Sequence, residues 1–235
     1  MSRLAHMKAK SNKKESAANA EKMLIHRDLT RDTELLYEIG CFRHVQRTWK
    51  RFHNPDVANA SEHTFRVMWA ALMLAKHERE LGGAKGSSTK KIDEEKILKI
   101  AMAHDLAESR TGDVDYISRQ YTKRDEEKGA QDMFGGTIFD KEVLPLLAEY
   151  EKRTSLEAKI VKDADTLDVE LELMEEHSRG NELGGKLLES RKVVVYNKLY
   201  TESARQFWHK IHGTHPHSWH MNASGNRFNS GDWKK

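Results

Sequence analysis

Cysteine and proline are the scarcest residues here: one of the former, Cys41, and three of the latter among 235. A lone cysteine cannot close an intrachain disulfide, so a reducing, cytoplasmic setting is expected. With so little proline, long stretches are left free to be helical. The chain also lacks any apolar run of the about 18 residues that a membrane span needs. No apolar segment of the secretory kind stands near its start, so neither membrane nor export is expected. An excess of one charge is missing too, since 40 Lys and Arg stand against 37 Asp and Glu, a net +3. A dedicated nucleic-acid binder carries a concentrated basic stripe, and this near balance gives no reason to expect a nucleic-acid partner.

What is present is a polar, globular composition, with 37% hydrophobic and 33% charged residues, too apolar for a disordered chain. The body is rich in Ala, Leu, Glu and Lys, and its apolar residues recur at helical spacing. An all-α fold follows, a single helical bundle over about residues 23–212. It is flanked by a mobile basic arm, 1–22, and a His/Gly/Asn-rich tail, 213–235. Helices are expected from about Asp28 to Gly40, with Leu35, Leu36 and Ile39 inward, and from near Ser61 after an irregular segment at 41–60. Others are expected over Asp93 to Ser109, through LPLLAEYEKRTS, over Ser155 to His177 and over about 199–212. Residues 81–91 and the highly charged 114–135 read as connections, and KVVVY at 192–196 as the one plausible strand.

Three of these apolar helical faces each carry an ionisable residue. His63 shares its face with Val67, Ala70 and Leu74; His104 lies in ILKIAMAHDLAES; Asp165 falls in line with Val161 and Val169. One histidine on such a face is more often a hydrogen-bonded core residue, and an HD dipeptide occurs in many chains. The three together are hard to obtain by accident, because a buried carboxylate without a partner is costly. In a helical bundle, inward side chains from different helices build metal sites. Asp105, about 100° round the helix from His104, can also reach an ion beside it. Two imidazoles and two carboxylates suit Mn²⁺, Co²⁺, Fe²⁺, Ni²⁺ or Zn²⁺ better than Ca²⁺, with Mg²⁺ a further option. Glu108, one turn past His104, is either a helix-end charge or the group that orients or deprotonates an attacking water. Asp113, after Gly112, is equally well a turn residue or a substrate contact.

His77 and His177 lie fourteen and twelve residues beyond His63 and Asp165. Along continuous helices that is about 21 and 18 Å, too far for the same ion. The shortage of further ligands favours one metal over two, and His44 and His53 are not expected to join it. The tail histidines His209, His212, His215, His217 and His220 would chelate metal adventitiously or serve an oligomer contact, on a segment read as disordered. Trp219 and Trp233 are its candidate anchors.

The strings RTW (47–49), SEH (61–63), AHDLAESRTGD (103–113) and KDADTLD (162–168) resemble the HD-domain metal-dependent phosphohydrolases. The branch they are similar to holds the 5'-deoxynucleotidases. The resemblance spans about residues 30–180 and implies that His63, His104, Asp105 and Asp165 bind one divalent metal. It further implies that Glu108 assists the attacking water, Asp113 contacts the sugar hydroxyl, Arg47 holds the phosphate and Trp49 packs near the sugar. Thr48 separates Arg47 from Trp49, whereas some members have Arg and Trp adjacent. The implied activity is hydrolysis of (deoxy)nucleoside 5'-monophosphates by metal-activated water, in a homodimer. Nucleoside triphosphates, alarmones or cyclic nucleotides as substrates, or a non-catalytic nucleotide-binding scaffold, are the alternatives.

Overall fold

The computed structural model describes residues 28–53, 57–84 and 91–221. The N-terminal arm, Trp233 and most of the 81–91 connection lie outside them. Among the described residues all regular structure is helical, apart from a single bridge between Gln46 and Asn59. The helices are α1 (Thr30–Cys41), α2 (Ala60–Ala84), α3 (Glu94–Ala103), α4 (Glu108–Thr111) and α5 (Glu126–Phe134). They continue with α6 (Asp140–Lys152), α7 (Leu156–Ser178), α8 (Glu182–Lys198), α9 (Glu202–His212) and α10 (Ser218–Met221). Several start where a side chain caps the first free N–H groups. Asp93, Asp125, Ser155, Asn181 and Thr201 each accept a hydrogen bond from the backbone of their own first turn.

Two apolar clusters hold the bundle together. The larger one joins Val67, Ala71 and Leu74 of α2 to Ile97 and Ile100 of α3, Ile160 and Val161 of α7, and Trp208 of α9. The smaller one packs Leu35 of α1 and Phe42 against Ala103, Leu106, Met133, Phe134 and Val143. Burying a side chain of this size contributes about 1.5–3 kcal/mol, so α2 and α7, the longest helices, are fixed side by side through the larger cluster. The chain passes from one cluster to the other between Ala101 and Ala103, immediately before His104.

Four expectations are corrected. The helix over 93–109 is interrupted: α3 stops at Ala103, and Leu106, Glu108, Ser109 and Arg110 donate to carbonyls three residues back. That tighter winding brings successive side chains onto one side sooner than an α-helix does. KVVVY is the C-terminal half of α8, not a strand. Val195 is buried and Tyr196 packs against the core, while Val193 and Val194 face outward, so burial along a helical face overrides β propensity. Gly184 makes that docking possible, because a Cβ there would come within 3.0 Å of the Leu173 carbonyl oxygen. In α1 only Leu35 points inward; Leu36 is 69% exposed, because a short helix at the rim needs just a narrow apolar stripe. The tail is ordered at least to Met221, where Ser218–Met221 is helical and His217 meets Ser178, but Trp219 is 76% exposed and anchors nothing.

Candidate metal centre and its cavity

His63 stands in the first turn of α2, His104 at the residue that closes α3, and Asp165 in the middle of α7. One ligand atom from each falls within 4.8 Å of the others. His63 Nε2 is 3.3 Å from Asp165 Oδ1 and 3.5 Å from Asp105 Oδ2, and His104 Nε2 is 3.3 Å from that same Asp105 oxygen. Asp105 thus borders the point that the other three surround, helped by the tight turn after Ala103.

The far sides of both rings are held. His63 Nδ1 lies 2.6 Å from Asp168 Oδ2, and His104 Nδ1 lies 2.8 Å from the Ala101 carbonyl oxygen. An ionised carboxylate and a carbonyl only accept, so both Nδ1 atoms carry a proton and each Nε2 is the ring atom turned toward the cluster. His104 Nε2 is buried with no hydrogen-bond partner among the described residues. An orphaned imidazole lone pair facing carboxylate oxygens, with each ring oriented from behind, fits a divalent transition metal on N and O donors.

The charges agree. Burial and Arg47 lower the His63 imidazolium, but Asp105, Asp165 and Asp168 outweigh them and hold it well above its ordinary value. Burial would raise Asp165, yet Lys162 and the two histidines keep it well below the usual carboxylate range. Asp105 is lowered too, its burial offset by His104 and His63. Carboxylates this strongly ionised around an imidazole attract a cation, whether proton or metal.

This cluster forms the floor of a cavity of about 540 Å³. Arg47, Glu108 and Asp113 line it; Trp49 is not among the lining residues. The Trp49 ring is stacked under the Arg47 guanidinium at 5.1 Å and lies 4.9 Å from His53. Arg47 itself reaches back to Asp168 and Glu172, at 3.5 and 3.7 Å. Asp113 Oδ2 accepts from the Thr48 backbone N–H at 2.6 Å and from the Thr48 hydroxyl at 3.1 Å. This ties the turn carrying Arg47 to the segment after α4. Glu108 is pushed up to about 8 by burial and by the charges of Asp105 and Asp113, with Arg124 pulling the other way.

Sequence reasoning missed a second layer. Asp168 is fully buried and also binds Arg66, whose other amino group holds Glu175 at 2.8 Å. The i, i+3 spacing of Asp165 and Asp168 in KDADTLD was the available signal. It also missed most of the cavity's cations. Arg119, Lys123 and Arg124 come from the charged segment read as a connection, and Arg153 from the end of α6. His77 packs on Phe207, remote from the cluster, and His212 binds Glu170. Among the described residues no three tail histidines gather for a metal.

Residues 39–208 match the HD domain family. Over 179 residues the chain is 32% identical to the 5'-deoxynucleotidase HDDC2 of Dictyostelium discoideum, covering 71% of this chain and 91% of that protein. A 5'-deoxynucleotidase of Photorhabdus laumondii is 31% identical over 156 residues, covering 60% of this chain and 75% of its own. Among solved structures, a conserved hypothetical protein of Pyrococcus furiosus superposes with a TM-score of 0.63 at 24% identity, covering 77% of this chain and 99% of that one. A predicted metal-dependent phosphohydrolase of Magnetospirillum magnetotacticum gives 0.58 at 18%, covering 78% and 90%. At such identities the structures speak for the fold alone.

Proposed function

The chain belongs to the HD-domain phosphohydrolases, in their 5'-deoxynucleotidase-like branch, and is an enzyme; from that premise we propose that it cleaves (deoxy)nucleoside 5'-monophosphates to nucleoside and inorganic phosphate. The observation carrying this reading is the convergence of His63, His104 and Asp165, with Asp105 at their edge, on one point of the cavity floor. These four residues hold one divalent ion, Mn²⁺ or Co²⁺ being the first choices for such donors. When bound, the ion supplies Lewis-acid chemistry, polarising a phosphoryl oxygen and making water more acidic.

The chain's own residues do the rest. Water's oxygen bonds to phosphorus, the P–O5' bond breaks, and one proton reaches the departing 5'-oxygen. Glu108, on the cavity wall and poised near neutrality, takes up and returns a proton at its carboxylate. Arg47 and Lys162 face the phosphate's negative charge, the former with a planar fork suited to two oxygens. Asp113 Oδ1, which makes no hydrogen bond among the described residues, accepts from the sugar hydroxyl. Trp49, behind Arg47, influences sugar choice through the position of that guanidinium.

Charge supports a monophosphate. The lining holds six cations (Arg47, Arg119, Lys123, Arg124, Arg153, Lys162) and six acids (Asp105, Glu108, Asp113, Glu126, Glu151, Asp165). A divalent ion on this near-neutral lining is balanced by the two charges of a phosphomonoester, whereas a triphosphate would leave negative charge unmatched.

The test is a substrate screen with metal-stripped protein refilled with each divalent ion. Phosphate release from dAMP or dCMP is expected, and Glu108→Ala should abolish turnover with metal retained. Tripolyphosphate from a deoxynucleoside triphosphate would replace this reading with the triphosphohydrolase one. The enzyme is also proposed to be a homodimer: Phe65, Trp69 and Met73, four residues apart on α2, are all more than half exposed. Light scattering that gives the 27.1 kDa monomer mass would refute this.

A further inference from the structure

Arg153 stands apart from the other arginines of the cavity. Arg47 reaches Asp168 and Glu172, Arg124 binds Glu108 and Glu126, and Arg119 donates to the Val114 carbonyl. Among the described residues Arg153 forms no ion pair and donates no side-chain hydrogen bond, although its Nη1 is buried. Its guanidinium lies over the Tyr150 ring, 4.1 Å from the centroid. Tyr150 in turn meets His104 edge-on at 5.6 Å and donates from its hydroxyl to Asp165 Oδ2 at 3.3 Å. Lys162 Nζ sits 2.7 Å from that same oxygen. The unpaired guanidinium is therefore stacked on a ring that touches two residues of the metal cluster, on the same cavity wall as a second cation.

The backbone supplies an independent observation. Arg153 is the one residue other than glycine with positive φ among the described residues, at 53°. It ends α6 in the left-handed conformation, a position where glycine is the default and a side chain is strained. An arginine is kept where local conformation favours glycine, and its charged donors are left without an acceptor. An unmatched buried donor is destabilising, and an anion entering the cavity removes that cost.

We propose that Arg153 is a substrate-binding residue that grips the phosphoryl group beside the metal cluster, with Lys162 as its neighbour and Arg47 as a further contact. Arg47 reaches its two carboxylates through Nη1 alone, at 3.5 and 3.7 Å, whereas the whole Arg153 fork is free, among the described residues, to take two phosphoryl oxygens. This rests on the phosphomonoesterase reading above and adds to it a named phosphate contact.

Arg153→Gly is the decisive variant, because glycine suits the backbone and should leave the melting temperature equal or higher. In metal-loaded protein, KM for dAMP should rise roughly tenfold or more, as for loss of a charge-assisted hydrogen bond, with kcat changed less than threefold. Binding of inorganic phosphate, followed by calorimetry, should weaken by a similar factor. Arg153→Gln should do the same, and Arg153→Lys should restore part of the affinity. Unchanged KM and unchanged phosphate affinity in Arg153→Gly would overturn the proposal while leaving the phosphomonoesterase reading intact. Were no nucleoside monophosphate hydrolysed by the unmodified enzyme, that reading would fail; phosphate affinity in the two proteins would still decide the role of Arg153.

Discussion

The floor and the wall of the cavity are built by opposite means. The floor residues project from the long helices α2 and α7 and from the end of α3, and their rings are oriented by buried acceptors such as Asp168 and the Ala101 carbonyl. Four of the six wall cations come from the segment after α4 and from the exit of α6, and of these Arg119 and Lys123 are exposed. Rigid helices can hold ligand atoms to within a few tenths of an ångström, as metal coordination requires. Long exposed side chains tolerate larger shifts and suit electrostatic capture of an anion. On the proposed reading, chemistry falls to the floor and substrate grip to the wall.

The sharpest break of this comparison is His104→Ala. Loss of one floor ligand should cost roughly a thousandfold or more in kcat/KM, with metal content falling in elemental analysis, whereas the Arg153 substitutions spare metal content entirely. Near-normal activity in His104→Ala would erase the distinction. Next in size is Asp168→Asn, which keeps the shape but weakens the hold on His63. Metal affinity should fall about 10–100-fold, as for other groups that orient ligands from behind, and a fluorescence titration returning the original affinity would remove Asp168 from the site.

The smallest effect concerns protons. Before metal is added, His63 holds its proton well above the ordinary imidazole range, so metal must displace it. Apparent affinity should climb by up to about tenfold per pH unit through neutrality and level off above the raised pKa. The same shift has a stability sign. Stabilisation by the protonated imidazole is fully present below its unfolded pKa and is lost as pH rises through the folded one. Metal-free protein should therefore melt earlier in mild alkali and be rescued by adding the ion. Melting curves independent of pH between 6 and 9 without metal would count against this account.

Part of this was legible in the sequence. The periodicity around His63 and Asp165 survives as α2 and α7 because each side chain fits a long apolar stripe, which a one-dimensional pattern records. The interruption at His104 was not legible. Its cause is the passage from one apolar cluster to another between Ala101 and Ala103, and no local residue announces it. The helical nature of 182–198 was hidden for a related reason, since three consecutive valines favour a strand until α7 offers a face to cover.

Taken alone, the sequence determined the helical class, the family and the residues that come together in the cluster, all of which depend on residue type and spacing along one chain. Which way the clustered side chains turn, that Asp168 stands behind His63, and that Arg153 is left without a hydrogen-bond partner among the described residues were decided by the tertiary structure. The physical reason is range. Helical periodicity is set by neighbours a few residues away, whereas the contact between His63 and Asp168 joins groups 105 residues apart, and such pairings exist only once the helices have packed.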